Sequence, residues 1–204
     1  TGRISTTAYG LENLPQKGGY VMYSNHQGKY DALSIVDVHQ KPLSLVMDEA
    51  RSHTMLVAQF LDLLESKRLV LDDVRQGMKI MKEITREVRD DGKAFLIFPE
   101  GGYSDNHNKV CTFKGGSFKS AMKANAPIVP VAIIDSYKVY GMPGLAPVKT
   151  QVHFLPPLLY DEYKDMSSQE VATEVQNRIQ KTILENLSGK DLAKLQKQLA
   201  CVSA

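Results

Sequence analysis

Short apolar runs alternate with stretches of helical periodicity along these 204 residues, and that alternation predicts most of the architecture. Residues 1 to 18 are polar and irregular, closing on the breaker cluster Leu14-Pro15-Gln16-Lys17-Gly18-Gly19. Tyr20 to Ser24 is then the first strand, Leu33, Val36 and Val38 predict a short helix, and Leu43-Ser44-Leu45-Val46-Met47 after Pro42 predicts a buried strand. Met55, Leu56, Phe60, Leu63 and Leu64 recur at helical spacing, and Leu69-Val70-Leu71 is a third strand candidate. Asp72 and Asp73 cap the clearest helix, with Val74, Met78, Met81, Ile84 and Val88 as its apolar stripe, Lys79, Lys82, Glu83, Arg86 and Glu87 as its solvated face, and Gly92 as its stop. Ala94-Phe95-Leu96-Ile97-Phe98 is uninterrupted apolar, the pattern of a central parallel strand buried on both faces, and Pro99 ends it.

Residues 99 to 116 form a long loop with four glycines. Ser117 to Asn125 reads as helix, Ile128 to Ile134 as a buried strand, and Val148 to Leu155 as a strand closed by Pro156-Pro157. Ser167-Ser168-Gln169-Glu170 is a capping box before Val171, Val175, Ile179 and Ile183, and that helix runs to about Ser188. A last polar helix, Lys190 to Leu199, is expected on the surface. This order predicts an α/β single domain with a largely parallel central sheet flanked by helices. Its core is expected over about residues 10–160, and its C-terminal helices over about 167–200.

Composition narrows the classes. With 43% apolar and 24% charged residues the chain has material for one well-buried domain. A formal charge of +2, without a run of like charges, argues against a nucleic-acid partner. Cys111 and Cys201, ninety residues apart without a secretory signal, are expected as free thiols in a reducing compartment. The longest apolar stretches, such as Ala126 to Ile134, fall far short of the roughly 20 residues that span a bilayer. The chain opens on Thr1 and not on methionine, which leaves room for an N-terminal membrane anchor outside these residues.

Candidate chemistry gathers at predicted strand ends. Ser24-Asn25-His26-Gln27-Gly28-Lys29-Tyr30-Asp31 joins the first strand to the first helix, where active sites of open α/β sheets form. His26 is suited to take a proton from a hydroxyl near neutral pH, and Asp31, five positions on, to hold its other ring nitrogen. The plainer alternatives are an N-cap aspartate and a solvated turn histidine. Phe98-Pro99-Glu100-Gly101-Gly102-Tyr103-Ser104 leaves the most buried strand at the same edge, with glycines that let backbone approach an anion. Glu100 is either an acceptor-orienting group or a salt-bridged carboxylate. Phe113-Lys114-Gly115-Gly116-Ser117 sets a lysine before a helix start, a phosphate-favouring arrangement with Lys109 nearby, or an ordinary surface loop. His26, His39, His53, His107 and His153 include no pair at metal-ligand spacing with thiolate support, so no metal is expected.

Four blocks in order, Asn25-His26 with Asp31, Phe98-Pro99-Glu100-Gly101, Phe113-Lys114-Gly115-Gly116, and Ala126-Pro127-Ile128-Val129-Pro130-Val131, resemble the glycerolipid acyltransferase family that includes 1-acylglycerol-3-phosphate acyltransferases. The resemblance extends from Gly10-Leu11-Glu12-Asn13-Leu14-Pro15 to about Pro157. It implies a glycerol-3-phosphate acyltransferase-like fold. It also implies fatty acyl transfer from an acyl-CoA or acyl carrier protein thioester, the co-substrate, to a hydroxyl of lysophosphatidic acid or a related lysophospholipid, with no cofactor. By resemblance His26 is the general base, Asp31 its orienting partner, and Glu100 with Gly101 part of acceptor binding.

Two departures stand out. The third family block usually continues glycine-threonine-arginine-serine, whereas Gly102-Tyr103-Ser104 follows Gly101 here, and Tyr103 brings no guanidinium charge. The second usually ends with arginine after a short apolar strand, whereas Lys67-Arg68 precede the expected strand here. Lys29, Arg68, Lys109 and Lys114 are therefore the candidates for phosphate contact, and Asn25 or the Gly101 and Gly102 amides for oxyanion support. A thioester hydrolase using the same pair and a lipid-binding module with weak catalysis are the alternatives. The expected location is the cytoplasmic side of a membrane, bound peripherally, with either Tyr140, Met142 and Leu145 of the 137–147 region or an N-terminal segment outside these residues as the contact.

Overall fold

The computed structural model describes residues 3–49, 55–70, 73–141 and 146–201. Among these, seven strands form one sheet: β1 (Ile4–Tyr9), β2 (Tyr20–Ser24), β3 (Ser44–Asp48), β4 (Lys67–Leu69), β5 (Ala94–Ile97), β6 (Ile128–Ile134) and β7 (Val148–Phe154), in the spatial order β1-β7-β6-β2-β5-β3-β4. From β6 to β4 the neighbours are parallel, β7 is antiparallel to β6, and β1 runs parallel to β7. The helices are α1 (Asp31–His39), α2 (Met55–Leu63), α3 (Val74–Asp90), α4 (Lys119–Lys123), α5 (Lys138–Gly141), α6 (Tyr160–Tyr163), α7 (Ser168–Asn186) and α8 (Gly189–Ala200).

The central strands are apolar throughout because both of their faces are covered. In β2, Val21 and Tyr23 join a core with Ile84 of α3, Ala121 of α4 and Ile179 of α7. Tyr20 and Met22 join the opposite core with Ile35 of α1 and Leu61 of α2. Full burial of each such side chain contributes about 1.5–3 kcal/mol. From β2 the chain crosses through α1 toward β3 on one side, and from β5 through α4 to β6 on the other. The connections thus part above neighbouring strands and leave a crevice at their C-terminal ends, the place where open α/β sheets bind ligands.

Several expectations shift. Residues 4–9, expected to be irregular, form β1: it is an edge strand with an exposed-to-intermediate pattern, so no apolar run announces it. The third strand lies two residues earlier than expected, with Arg68 inside it, because Lys67 and Arg68 are held by partners at a sheet edge. On α3 the buried face runs through Ile80, Ile84, Glu87 and Val88, while Val74 and Met78 are exposed. At 3.6 residues per turn Met78 lies about 120° from Ile84, off the face that meets the sheet. Glu87, expected on the solvated face, is buried and bonded to Lys67 at 2.5 Å and Lys93 at 3.1 Å. Burial pushes its carboxyl up, but the two lysines outweigh that and hold it below its usual value. Leu63 is exposed, and Leu61 takes the buried position on α2. The expected helix from Ser117 is a 3-10 turn over Gly115–Phe118 followed by α4. The capping box at Ser167 and Glu170 is present. The last helix, expected on the surface, docks Leu195 into the core. Leu71, Asp72, His53, Met142 and Leu145, and the side chains of Met55 and Leu56, lie outside the described residues.

Candidate active site

The C-terminal ends of β6, β2 and β5 lie side by side, and the first residues beyond them converge. His26 Nδ1 is 2.6 Å from Asp31 Oδ2. The same oxygen accepts the Gln27 and Gly28 amides at 2.6 and 2.9 Å, so the turn between the two residues is wrapped around the carboxylate. Asp31 is completely buried, and its second oxygen accepts the Ser136 hydroxyl at 2.5 Å. A buried charge requires this many donors to offset lost hydration. With Nδ1 facing the carboxylate, the proton of neutral His26 sits there and the Nε2 lone pair is available. The His26 side chain keeps 17% exposure, and Nε2 makes no hydrogen bond among the described residues.

The imidazole plane is set by two rings. Phe98 stacks on it at a centroid distance of 4.3 Å, and Tyr103 meets it edge-on at 4.6 Å. The His26 backbone amide donates to Glu100 Oε1 at 3.0 Å, tying the β2 loop to the β5 loop. Glu100 Oε2 is buried without a hydrogen-bond partner. Burial pushes the Glu100 carboxyl up to about 7 against the pull of the His26 amide and of neighbouring Cys111. The protonated form is therefore favoured by folding, and the contribution of Glu100 to stability should fall as pH rises from about 4.5 to about 7 and stay level above. Glu100→Gln removes that ionisation. Relative to wild type, its unfolding free energy should be higher at pH 8 than at pH 4.5 by on the order of 3 kcal/mol. Urea midpoints at the two pH values check this, and an equal gap at both would contradict it.

Gly101, at φ +77, lies beneath Lys114: a Cβ there would stand 2.7 Å from Nζ, so the ammonium lies against the glycine backbone beside Glu100. Gly102 is unobstructed on its Cβ side, and Lys29 is exposed in the turn between His26 and Asp31. Lys109 lies farther along the loop, clipped by Asn106, whose side-chain amide donates to the Lys109 carbonyl at 2.8 Å and to the His26 carbonyl at 3.4 Å.

Three groups expected at the site have partners elsewhere in the fold. Asn25 is 1% exposed, with its amide oxygen and nitrogen bonded to the Ile133 backbone at 2.8 and 3.0 Å, so it clamps β2 to β6 and is not presented to an oxyanion. Arg68 is paired with Asp62 on edge strand β4, about 14 Å from β2 at three strand spacings. At the expected phosphate-binding helix start the Gly115 amide donates to Gln169 of α7 at 3.2 Å, while the Cβ side of Gly116 is open. Gln176 and Gln180 of the same helix accept from the Phe113 and Val110 amides, each at 3.0 Å, and so anchor the long loop.

Sequence reasoning missed Ser136, Gln27 and Asn108. Gln27 Oε1 accepts from the Ser136 amide, its Nε2 donates to Asn108, and Asn108 donates to Asp135, so the loops after β2, β5 and β6 share one polar network. Ser136 follows the buried strand β6 by two residues, a strand-end position of the kind that drew attention to His26 and Glu100. The arrangement presents an accessible, oriented imidazole that can remove a proton from a hydroxyl and return it to a leaving group. Among the described residues there is no cluster of metal-ligating side chains.

A family model described as Acyltransferase matches residues 5–134. A putative 1-acyl-sn-glycerol-3-phosphate acyltransferase of Caenorhabditis elegans is 27% identical over 146 residues, covering 69% of this chain and 50% of that protein. The alpha 1-acyl-sn-glycerol-3-phosphate acyltransferase of Mus musculus is 28% identical over 161 residues, covering 76% of this chain and 55% of that protein. The chain thus spans about half the length of these curated relatives. In fold it resembles the crystal structure of the 1-acyl-sn-glycerophosphate acyltransferase from Thermotoga maritima, with a TM-score of 0.71 and 22% identity, covering 91% of this chain and 74% of that one.

Proposed function

The chain belongs to the acyltransferase family, and from that premise we propose that it moves a fatty acyl group from an acyl-CoA or acyl carrier protein thioester to the free hydroxyl of lysophosphatidic acid or a related lysophospholipid. The observation that carries this reading is the His26–Asp31 pair, with Nδ1 held at 2.6 Å and Nε2 accessible at the sheet edge. The acceptor hydroxyl attacks the thioester carbonyl as His26 Nε2 removes its proton. The new C–O bond forms, the C–S bond breaks, and the imidazolium returns the proton to the departing thiolate. Asp31 stabilises the imidazolium while it exists. Lys114 beside Gly101 supplies positive charge for an acceptor phosphate. Direct attack requires no acyl-enzyme and no cofactor.

The test is thiol release measured against a panel of acceptors. Release that rises many-fold with lysophosphatidic acid supports transfer, and release indifferent to every acceptor points to hydrolysis by the same pair.

Peripheral binding at the cytoplasmic side of a membrane is part of the proposal. Val70 and Val74, at the same end of the sheet as His26, and Met78 one turn along α3 leave apolar side chains exposed, as does Tyr140 in the region first expected to touch lipid. Among the described residues no helix is long and apolar enough to cross a membrane. Co-sedimentation with phosphatidylglycerol-containing vesicles should deplete the supernatant, and Val74→Asp with Met78→Asp should restore it. Unchanged sedimentation of the double variant would remove this face from the account.

A further inference from the structure

A cleft of about 720 Å³ opens between the 104–111 loop and α8, next to the candidate site but not part of it as described above. Lys109 reaches it from the loop and Lys194 and Lys197 from the helix, against the single carboxylate of Asp105. We propose that this cleft binds a phosphate monoester dianion. That group is carried by a lysophosphatidic acid acceptor and also by the 3′-phosphate of a coenzyme A donor; the substrate assignment rests on the acyl-transfer reading above.

The first support is electrostatic. Among the described residues Lys67, Lys93 and Lys138 each sit on a carboxylate, whereas none of Lys109, Lys194 and Lys197 has an ion-pair partner. Three ammonium groups around one hollow repel one another, and a dianion between them turns that repulsion into charge-assisted hydrogen bonds. The second support is that the helix is held in place. Leu195 is buried in the core, and Lys138 bonds Asp191 at 2.7 Å, which fixes the rotation of α8 about its axis. Lys194 and Lys197 are three residues apart, so they share the face that this rotation turns to the cleft.

The third support is position. Asn106 lines the cleft and donates to the His26 carbonyl, and Cys111 lines it beside Glu100. Two residues that line the cleft thus touch the two loops that carry His26 and Glu100. The helix that supplies two of the three lysines lies outside the four sequence blocks, so this assignment depends on how α8 packs.

The experiment compares wild type with the Lys194→Gln/Lys197→Gln pair and with the charge-conserving Lys194→Arg/Lys197→Arg pair. Calorimetric titration with glycerol 3-phosphate and with adenosine 3′,5′-bisphosphate measures the site without turnover. The glutamine pair should weaken one of the two by about tenfold or more, and the arginine pair should retain binding. Kinetics then identify the source. A matching rise in KM for lysophosphatidic acid, larger than for an uncharged monoacylglycerol, assigns the cleft to the acceptor. A rise for acyl-CoA that is absent with an acyl-pantetheine thioester assigns it to the donor. Unchanged affinity for both probes in the glutamine pair overturns the proposal, even if wild type transfers acyl groups normally. Weakened probe binding in a protein that transfers to no acceptor would keep the cleft and remove the acyl-transfer reading.

Discussion

His26→Ala should lower kcat for acyl transfer by about 1,000-fold, within the range of about 10²–10⁴ that a positioned general base supplies, while the protein stays folded. The imidazole is the accessible part of the site, and alanine preserves the backbone amide that donates to Glu100. What the fold loses is ring contact with Phe98 and Tyr103, about 1 kcal/mol, and one of the four donors to the buried Asp31 carboxylate, about 1–3 kcal/mol, with the Gln27, Gly28 and Ser136 donors kept. Thioester binding should be kept, so the defect appears in kcat more than in KM. Turnover within tenfold of wild type in a folded His26→Ala protein would dismiss the proton-removal role.

Asp31→Asn should lower kcat by about 100-fold and also destabilise the protein. The carboxylate accepts from His26, Gln27, Gly28 and Ser136, with Oδ2 taking three of the four. An asparagine must turn its NH₂ toward one side. If it replaces Oδ2, the Gln27 and Gly28 amides face a donor, and the imidazole loses the acceptor that kept its proton on Nδ1. If it replaces Oδ1, the Ser136 hydroxyl must turn to Gln27 Oε1, 3.0 Å away, and the imidazolium is left without a full negative charge. Stranding buried donors costs about 1–3 kcal/mol. For a chain of this size each kcal/mol lowers the melting temperature by roughly 2–4 °C. Steady-state kinetics with thermal melts check both halves. An Asp31→Asn protein with wild-type kcat and melting temperature would refute the view of Asp31 as the organiser of the turn.

The pair itself was legible because it is local: five residues of turn bring Asp31 back to His26, and the flanking apolar strand marks where the turn must sit. Strands β2, β5 and β6 were legible for a related reason, since strands covered on both faces show as unbroken apolar runs. Edge strands carry no such mark. β1 alternates exposed and half-buried residues, and β4 contains two basic residues whose partners Glu87 and Asp62 come from helices. Ser136 stands 105 positions from Asp31, and Gln169 stands 54 from the amide it caps, so their bonds follow from tertiary packing and leave no local pattern. Asn25 failed in the opposite way. It belongs to the motif by sequence, but packing of β2 against β6 commits its amide to Ile133.

The most direct test of the central claim follows the fate of the acyl chain. Wild-type protein is given a thioester with a labelled fatty acyl group together with lysophosphatidic acid, and the label is partitioned between two-chain phospholipid and free fatty acid. Attack by an acceptor hydroxyl activated by His26 predicts label in the phospholipid, growing in step with thiol release. Label appearing in free fatty acid at the rate of thiol release, with none in phospholipid, would contradict it.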